Sequence, residues 1–264
     1  MSMSLLLGAL VGCIMGLTGA GGGILAIPLL VFGLHLSVPQ AGPIGLLAVG
    51  MASAMGAVIG LRAGIVRYRA ALLVAAVGIA LTPLGTWLAH QLDTRYLTLL
   101  FAIVMVWVAV KGMRDARRSK TNAVTVSDDC PCLRDKSGRF LWTPRCASRL
   151  AVMGGMAGVL SGLLGVGGGF VIVPVLQRVT DLAMQSVVST SLAVIALISL
   201  VSVGTSMVNG HFDLNIGLPF SAGAIAGMLL GGKLSMRWHP AHLKLVFSIV
   251  CMVVSVGLII KSLY

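Results

Sequence analysis

The sequence predicts an all-α polytopic membrane protein built from two homologous repeats, and two observations support this. First, 58% of the 264 residues are hydrophobic and only 10% are charged, which is more apolar surface than a soluble core can hide. Second, the chain matches itself without gaps at an offset of 146 residues. Apolar runs able to cross a bilayer core of about 30 Å lie at 40–61, 70–89, 96–113, 183–207, 214–235 and 243–262.

The internal match is clearest at a glycine-rich segment that occurs twice. GLTGAGGGILAIP at 16–28 aligns with GLLGVGGGFVIVP at 162–174, and about a quarter of all paired positions are identical. We therefore expect a first transmembrane repeat at 1–113 and a second at 150–264. A basic connector at 114–149 joins them.

The charges of equivalent loops differ, which predicts that the two repeats are inverted. The loop at 62–69 carries three Arg, whereas its equivalent at 208–215 has no Lys or Arg. At the next loop the bias reverses, because 90–95 has one Arg and one Asp and the equivalent region has Lys233, Arg237 and Lys244. Cytoplasmic loops collect Lys and Arg, so equivalent loops are expected on opposite sides of the membrane.

The remaining apolar runs, 3–34 and 150–177, decide the topology. Inversion needs an odd number of crossings per repeat, and three spans are clear in each. A helix over 3–34 would be about 48 Å long, too long for one straight span. We therefore expect each run to be a broken or re-entrant helix pair with glycines at its tip, giving about 8–10 transmembrane segments in total. A broken helix that crosses once would instead give parallel repeats. The first run lacks the basic start and cleavage pattern of a signal peptide.

The consecutive glycines are the candidate binding site. Non-helical backbone at membrane depth is tolerated only where protein buries it or a cavity faces it. Helices that start near Gly23 and Gly169 would offer free N–H groups and positive dipole ends to an anion near the bilayer midplane. The predicted substrate-binding residues are Thr18, Gly19, Gly21, Gly22, Gly23, Gly165, Gly167, Gly168, Gly169, Ser189, Thr190 and Ser191.

Two alternatives to substrate binding stay open for these residue types. Glycines spaced by four, as in 8–16 and 154–162, are typical of close helix packing. Hydroxyls within a span, including the weaker candidates Ser199, Ser202 and Ser206, commonly bond the preceding turn of their own helix.

The charged residues exclude several classes of function. All seven acidic residues are Asp, and each lies in a predicted loop. Carboxylates inside spans are the usual proton relays and cation ligands, so their absence argues against a metal-ion pump or a carboxylate-based proton antiporter. No enzyme, metal or cofactor is predicted, because no nucleophile and base lie together within the spans. The net charge of +12 indicates contact with anionic membrane lipids rather than with nucleic acid.

The connector contains Cys130, Cys132 and Cys146 but no His. Three thiols fall short of a four-ligand zinc site. The basic composition places this segment in the cytoplasm, where thiols stay reduced. A sensor of redox state or sulfur species, and a metal shared between chains, are the alternatives.

The chain resembles the sulfite exporter TauE/SafE family of bacterial membrane permeases. The resemblance lies in a duplicated unit of apolar spans with two glycine-rich hairpins, which are followed by Pro28 and Pro174. The resemblance covers both repeats. It implies a multi-pass protein of the bacterial cytoplasmic (inner) membrane that exports a small sulfur-containing anion such as sulfite or a sulfonate. The family's stretch of small hydroxyl residues matches Ser189–Ser191 but not its equivalent, Pro43–Gly45.

Other assignments are compatible with the same sequence. An accessory or structural membrane subunit and a permease for an unrelated small solute are the alternative functions. The exact substrate, the direction, the coupling ion and the oligomeric state, a homo-oligomer included, are left open.

Overall fold

Every element described in this computed structural model is a helix. The structure describes residues 2–18, 20–118, 144–164, 168–169, 172–173, 176, 180, 184–208, 214–235 and 240–263. The α-helices are α1 (Ser2–Thr18), α2 (Ala26–Gly33), α3 (Val38–Arg62), α4 (Tyr68–Gln91), α5 (Thr94–Arg118), α6 (Pro144–Leu164), α7 (Met184–Val208), α8 (Leu214–Ser235) and α9 (Pro240–Leu263). A 3₁₀ helix, Ala20–Leu25, lies between α1 and α2.

The six predicted spans coincide with α3, α4, α5, α7, α8 and α9, within about five residues at each end. Six helices of the described residues are long and apolar enough to cross a membrane: 40–62, 68–89, 95–114, 146–164, 185–204 and 215–234. Shorter apolar helices cover Met3–Thr18, Gly22–Gly33 and Phe247–Ile259.

The helices on either side of the connector are longer than expected. α5 continues to Arg118 and α6 begins at Pro144, so both extend into the segment assigned to the connector. Asp115 therefore belongs to the end of α5 and not to a loop, which corrects the prediction for that residue. Residues 119–143 lie outside the described part of the chain.

Large apolar side chains cover much of the outer surface. Leu6, Trp87, Ile103, Leu200 and Val253 are each more than 60% exposed and lie on five different helices. Apolar exposure of this extent is unfavourable in water. It suits helices whose outer faces contact lipid tails, as the composition predicts.

The chain turns back on itself after α1. A side chain at Gly22 would meet the backbone of Met15, and one at Gly33 would meet the side chain of Leu7. The residue numbers run in opposite directions in these two contacts, so α2 returns antiparallel to α1. The predicted break at the glycines is therefore present. The helix after the break begins at Ala20 as a 3₁₀ helix, however, and not at Gly23.

Glycines hold two pairs of helices in close contact. A Cβ at Gly12 would lie 2.7 Å from the carbonyl carbon of Ala224, and one at Gly158 would lie 2.6 Å from Cα of Gly78. Residue numbers rise together along each pair, so α1 is parallel to α8 and α6 is parallel to α4. The two pairs of helices make equivalent contacts at the offset of 146 residues. The contact of Gly8 with Phe220 corresponds to that of Gly154 with Val74, and the contact of Gly12 with Ala224 corresponds to that of Gly158 with Gly78.

Helices α3 and α7 pack against each other in opposite directions. Three glycines of α3 lie directly against side chains of α7: Gly50 against Ser199, Gly56 against Leu192 and Gly60 against Ser189. Numbers rise along α3 while they fall along α7. The small residues let the two backbones approach closely, so this antiparallel pair joins the first half of the chain to the second.

The principal helix contacts in the described residues join the first half of the chain to the second. Besides the pairs above, α5 packs on α9, α3 on α8 and α4 on α7. Consecutive helices α3 and α4 make little contact with each other. Each half therefore depends on the other for most of its buried surface.

Candidate functional site

The first glycine segment lies close to the middle of a span. Gly22 and Gly23 are buried, and a Cβ at Gly22 would lie 2.5 Å from Cα of Met15. Met15 is one turn beyond Gly12, which contacts Ala224 in the middle of α8. At 1.5 Å per residue, Gly22 is therefore within about one helical turn of the middle of α8.

The 3₁₀ geometry decides which amides of this segment are free. A 3₁₀ helix pairs each N–H with the carbonyl three residues earlier. In Ala20–Leu25 the amides of Gly22 and Gly23 are thus used inside the helix. The amides of Ala20 and Gly21, at its start, have no carbonyl partner inside the 3₁₀ helix, so the candidate amide donors lie one or two residues closer to α1 than the sequence predicts.

The second glycine segment has a left-handed turn. Gly168 is buried with a φ of +62°, and a Cβ there would lie 3.0 Å from Cα of Ala157. Its carbonyl accepts a hydrogen bond from the N–H of Ile172 at 3.4 Å, and Gly169 is buried and helical. A helix therefore begins near Gly169, as the sequence suggests. Gly19, Gly165 and Gly167 lie outside the described residues.

Three of the four predicted hydroxyls, those of Thr18, Thr190 and Ser191, have hydrogen-bond partners within the protein. Thr18 Oγ1 donates to the carbonyl of Ile14 at 2.7 Å, and Ser191 Oγ donates to the carbonyl of Val187 at 2.8 Å. These are bonds to the preceding turn of the same helix, the alternative left open for them. Thr190 Oγ1 instead accepts the backbone N–H of Arg67 at 3.1 Å, and Ser189 packs beside Gly60.

Two buried hydroxyls have no hydrogen-bond partner: that of Ser53, which the sequence analysis did not select, and that of Ser199, a weaker candidate there. Ser53 and Ser199 are both fully buried, and neither Oγ makes a hydrogen bond. The buried hydroxyls of Thr82, Ser202 and Ser221, by contrast, each donate to the carbonyl four residues earlier. The unpartnered pair is separated by 146 residues, so comparing polar residues at that offset inside the spans could have found it.

These two serines lie at the contact between α3 and α7. Ser199 packs beside Gly50, and Ser53 is three residues further along the same face of α3. By the antiparallel register, Ser53 lies opposite Ala196. The tip of the first hairpin lies near this part of α3, because Gly16, close to the tip, and Gly56 of α3 both contact Met228. Ser53 is one turn from Gly56, so the two hydroxyls lie close to the level of the hairpin.

A third unpartnered hydroxyl faces the second hairpin. Ser161 is fully buried on α6, and its Oγ makes no hydrogen bond. It is four residues after Ala157, on the same face of the helix, and Ala157 contacts Gly168. Leaving a hydroxyl without a partner in an apolar environment costs about 1–3 kcal/mol. These serines are therefore candidate donors to a polar ligand.

The cysteines differ from the expectation for the connector. Cys146 is buried at the start of α6 and is disulfide-bonded, whereas reduced thiols were expected. Cys130 and Cys132 lie outside the described residues. The described residues contain no cluster of three or more His, Cys or Asp that could hold a metal ion.

Apolar helices of membrane-spanning length, a broken helix pair and polar groups buried near the middle of the spans define a multi-pass helical membrane protein. The chain belongs to the family described as sulfite exporter TauE/SafE, whose sequence profile matches residues 4–258. It is a membrane transporter of this family.

Curated relatives match over nearly the whole chain. A probable membrane transporter protein of Xylella fastidiosa is 29% identical over 262 residues, covering 97% of this chain and 93% of the relative. The probable membrane transporter protein YunE of Bacillus subtilis is 22% identical, with 98% and 97% covered. A probable membrane transporter protein of Methanocaldococcus jannaschii is 26% identical, with 92% and 90% covered. No solved structure matches the chain.

Proposed function

We propose that this transporter exports a small sulfur-containing anion, such as sulfite or a sulfonate, across the bacterial cytoplasmic membrane. The observation that carries the proposal is the set of buried, unpartnered hydroxyls of Ser53 and Ser199 at the contact between α3 and α7. Hydroxyl and amide N–H groups are donors, and the start of a helix carries a partial positive charge. Such a site suits an oxyanion better than a cation.

The proposed binding site combines main-chain and side-chain donors. The amides at the start of the 3₁₀ helix and at the turn of Gly168 would hold the anion from the two hairpins. Ser53 and Ser199 would donate from the α3–α7 contact between them. Hydrogen bonds to a charged group contribute about 1.5–3 kcal/mol each, so a few of them suffice for the modest affinity that a transported solute needs.

The packing supports two inverted repeats, which is part of the proposal. At the offset of 146, α3 is equivalent to α7, and equivalent helices that pack antiparallel fit a two-fold axis in the membrane plane. The contacts of α1 with α8 and of α6 with α4 exchange under the same offset. Two hairpins related in this way approach the centre from opposite sides of the membrane.

The helix directions place most described basic side chains at one end of the molecule. One side of the molecule holds the end of α3 and the start of α4. The ends of α5 and α8 lie on the same side, and so does the start of α6, because α6 is parallel to α4. We call this side the basic end; it carries Arg62, Arg67, Arg69, Arg114, Arg149 and Lys233. Arg95 lies at the other end, next to Asp93. The excess of Lys and Arg supports a cytoplasmic location of the basic end.

Labelling of exposed cysteines tests the inversion. Arg69 and Asn215 are separated by 146 residues and both are exposed. In a background without the five native cysteines, Arg69→Cys should react with an impermeant thiol reagent only from the cytoplasmic side. Asn215→Cys should react only from the outside. Labelling of both members of the pair from one side would show that the repeats are parallel.

The membrane potential favours the proposed direction. Each negative charge that leaves a cell with a negative interior gains about 2.3 kcal/mol per 100 mV, or roughly fifty-fold in concentration. Export therefore needs no coupled ion on these grounds. Uptake of the same anion would need one.

Flux of labelled sulfite into proteoliposomes with a set potential tests the substrate and the site together. Wild-type protein should show saturable, potential-dependent flux. Ser53→Ala combined with Ser199→Ala should raise KM at least about tenfold, because two donors to a charged ligand are lost. The matched control is Ser202→Ala combined with Ser221→Ala, whose hydroxyls bond their own helices, and its KM should stay within about twofold.

Two outcomes would contradict different parts of the proposal. Absence of flux for sulfite, thiosulfate and a sulfonate from folded wild-type protein would reject the substrate class and favour an unrelated solute or an accessory role. Normal flux in the Ser53 and Ser199 variant would keep the substrate but reject these two serines as ligands.

A further inference from the structure

We propose a second anion site, at the basic end, formed by Arg67 together with Ser189 and Thr190. It would receive the oxyanion from the cytoplasm before the anion reaches the central serines. The inference rests on the proposed function for the direction of transport. The site itself is argued from the surroundings of Arg67.

Arg67 differs from the other arginines near it. Arg62 and Arg69 are exposed, and the Arg69 guanidinium lies over the ring of Tyr68 at 5.9 Å. Arg67 is half-buried, and its Nε is buried without a hydrogen-bond partner. Among the described residues, no other cationic side chain has a buried nitrogen left unpaired.

The fold brings two hydroxyl residues of the second half to this arginine. The backbone N–H of Arg67 donates to Thr190 Oγ1 at 3.1 Å, which joins the loop between α3 and α4 to the first turns of α7. Gly60, near the end of α3, contacts both Ser189 and Val66, the residue before Arg67. A Cβ at Gly60 would lie 2.9 Å from Ser189 Oγ and 3.0 Å from a methyl carbon of Val66. The end of α3, the loop and the start of α7 therefore meet at one place.

The chemistry of this place suits a small oxyanion. A guanidinium N–H that is removed from water without a partner loses the full energy of its hydrogen bond to water. An oxyanion restores that bond as a charge-assisted one, and the planar guanidinium matches two of its oxygens. The oxygen of Thr190 is the acceptor for the Arg67 N–H, so the hydroxyl proton is available to donate to a ligand.

The position fits a path to the central serines. Ser189 is ten residues from Ser199 along α7, and Gly60 is seven residues from Ser53 along α3. These separations correspond to roughly 10–15 Å along the helices. An anion held at Arg67 would therefore lie between the cytoplasm and the proposed central site, at the basic end of the α3–α7 contact.

The matched pair Arg67→Gln and Arg69→Gln tests the site. Both variants remove one positive charge, one just before and one just after the start of α4, so any effect of net charge or orientation is equal. Both keep the backbone N–H that bonds Thr190. Measured in proteoliposomes of zwitterionic phosphatidylcholine, with sulfite supplied at the basic end, Arg67→Gln should raise KM at least about tenfold. Arg69→Gln should change it less than about twofold. Arg67→Lys keeps the charge but loses the planar donor pair, and its KM should lie between those of the wild type and Arg67→Gln.

A binding measurement separates failure of this site from failure of the proposed substrate. The anion-dependent rise in melting temperature of purified protein is recorded with sulfite, thiosulfate, sulfate, phosphate and chloride. A rise with sulfite that is smaller in Arg67→Gln than in the wild type and unchanged in Arg69→Gln supports both proposals. A rise with phosphate or chloride alone that shows the same dependence supports the site and rejects the sulfur-containing substrate.

Two results would overturn the site. One is that no anion raises the melting temperature in a way that requires Arg67, or that the rise is reduced equally in Arg69→Gln. The other is an effect of Arg67→Gln that appears only in vesicles containing anionic phosphatidylglycerol, which would mean that the guanidinium binds a lipid phosphate and not a free anion.

Discussion

Replacing Gly158 with Ala should destabilise the protein by about 3 kcal/mol or more, although it adds only one methyl group. The new Cβ would lie 2.6 Å from Cα and 2.7 Å from the carbonyl carbon of Gly78. Both are backbone atoms, so no side-chain rotation can relieve the overlap and α6 must move away from α4. Overpacking of this kind costs about 1–3 kcal/mol and occasionally more. Thermal unfolding in detergent should show a melting temperature lower by about 6–12 °C.

Gly204→Ala is the control for Gly158→Ala. Gly204 is also inside a long helix, α7, but a Cβ there would meet nothing within 4 Å. Alanine is favoured over glycine inside a helix by about 0.5–1 kcal/mol, so this variant should be unchanged or slightly more stable. Equal melting temperatures for the two variants would mean that α4 and α6 are not in close contact.

Gly168→Ala should have the second large effect, because two penalties add. The φ of +62° is unfavourable for any residue with a Cβ, by about 1–2 kcal/mol. The same Cβ would lie 2.9 Å from the carbonyl carbon of Ala157, again a backbone atom. The expected loss is about 3–5 kcal/mol, read as a lower yield of monodisperse protein and a lower melting temperature.

Gly64→Ala separates the two penalties. Gly64 has a φ of +68° but nothing within 4 Å of the position of its Cβ. The variant should lose only the conformational term, about 1–2 kcal/mol. If Gly168→Ala were as stable as Gly64→Ala or more stable, the packing of the second hairpin against α6 would be wrong.

Larger substitutions such as Gly22→Leu and Gly168→Leu are unsuitable as tests of binding. Their side chains would overlap the backbones of Met15 and Ala157, so loss of folding would remove transport as well.

The parts of the fold that depend on one segment at a time could be predicted from the sequence. Hydropathy places the spans because a bilayer of fixed thickness needs about 20 apolar residues per helix. The break after α1 follows from length, since a helix over 3–34 is too long for one crossing. Both features are present in the structure.

The parts that depend on which helices meet could not be predicted. Gly22 was a candidate for contact with substrate, but its Cβ position faces Met15, so packing on α1 already requires glycine there. The backbone N–H of Arg67 donates to Thr190 Oγ1, which lies 123 residues further along the chain. Periodicity shows which face of a helix is apolar but not which helix covers it.

The interlocked packing also has a consequence for biosynthesis. Gly8 finds its partner only when Phe220 has been made, and the ribosome adds about 5–20 residues per second. α1 must then remain in the membrane for roughly 10–40 s before α8 exists. Contacts at such large sequence separation slow folding, and during this interval the small-residue face of α1 is open to other helices. Correct assembly therefore depends on the second half of the chain arriving before an unrelated helix occupies that face.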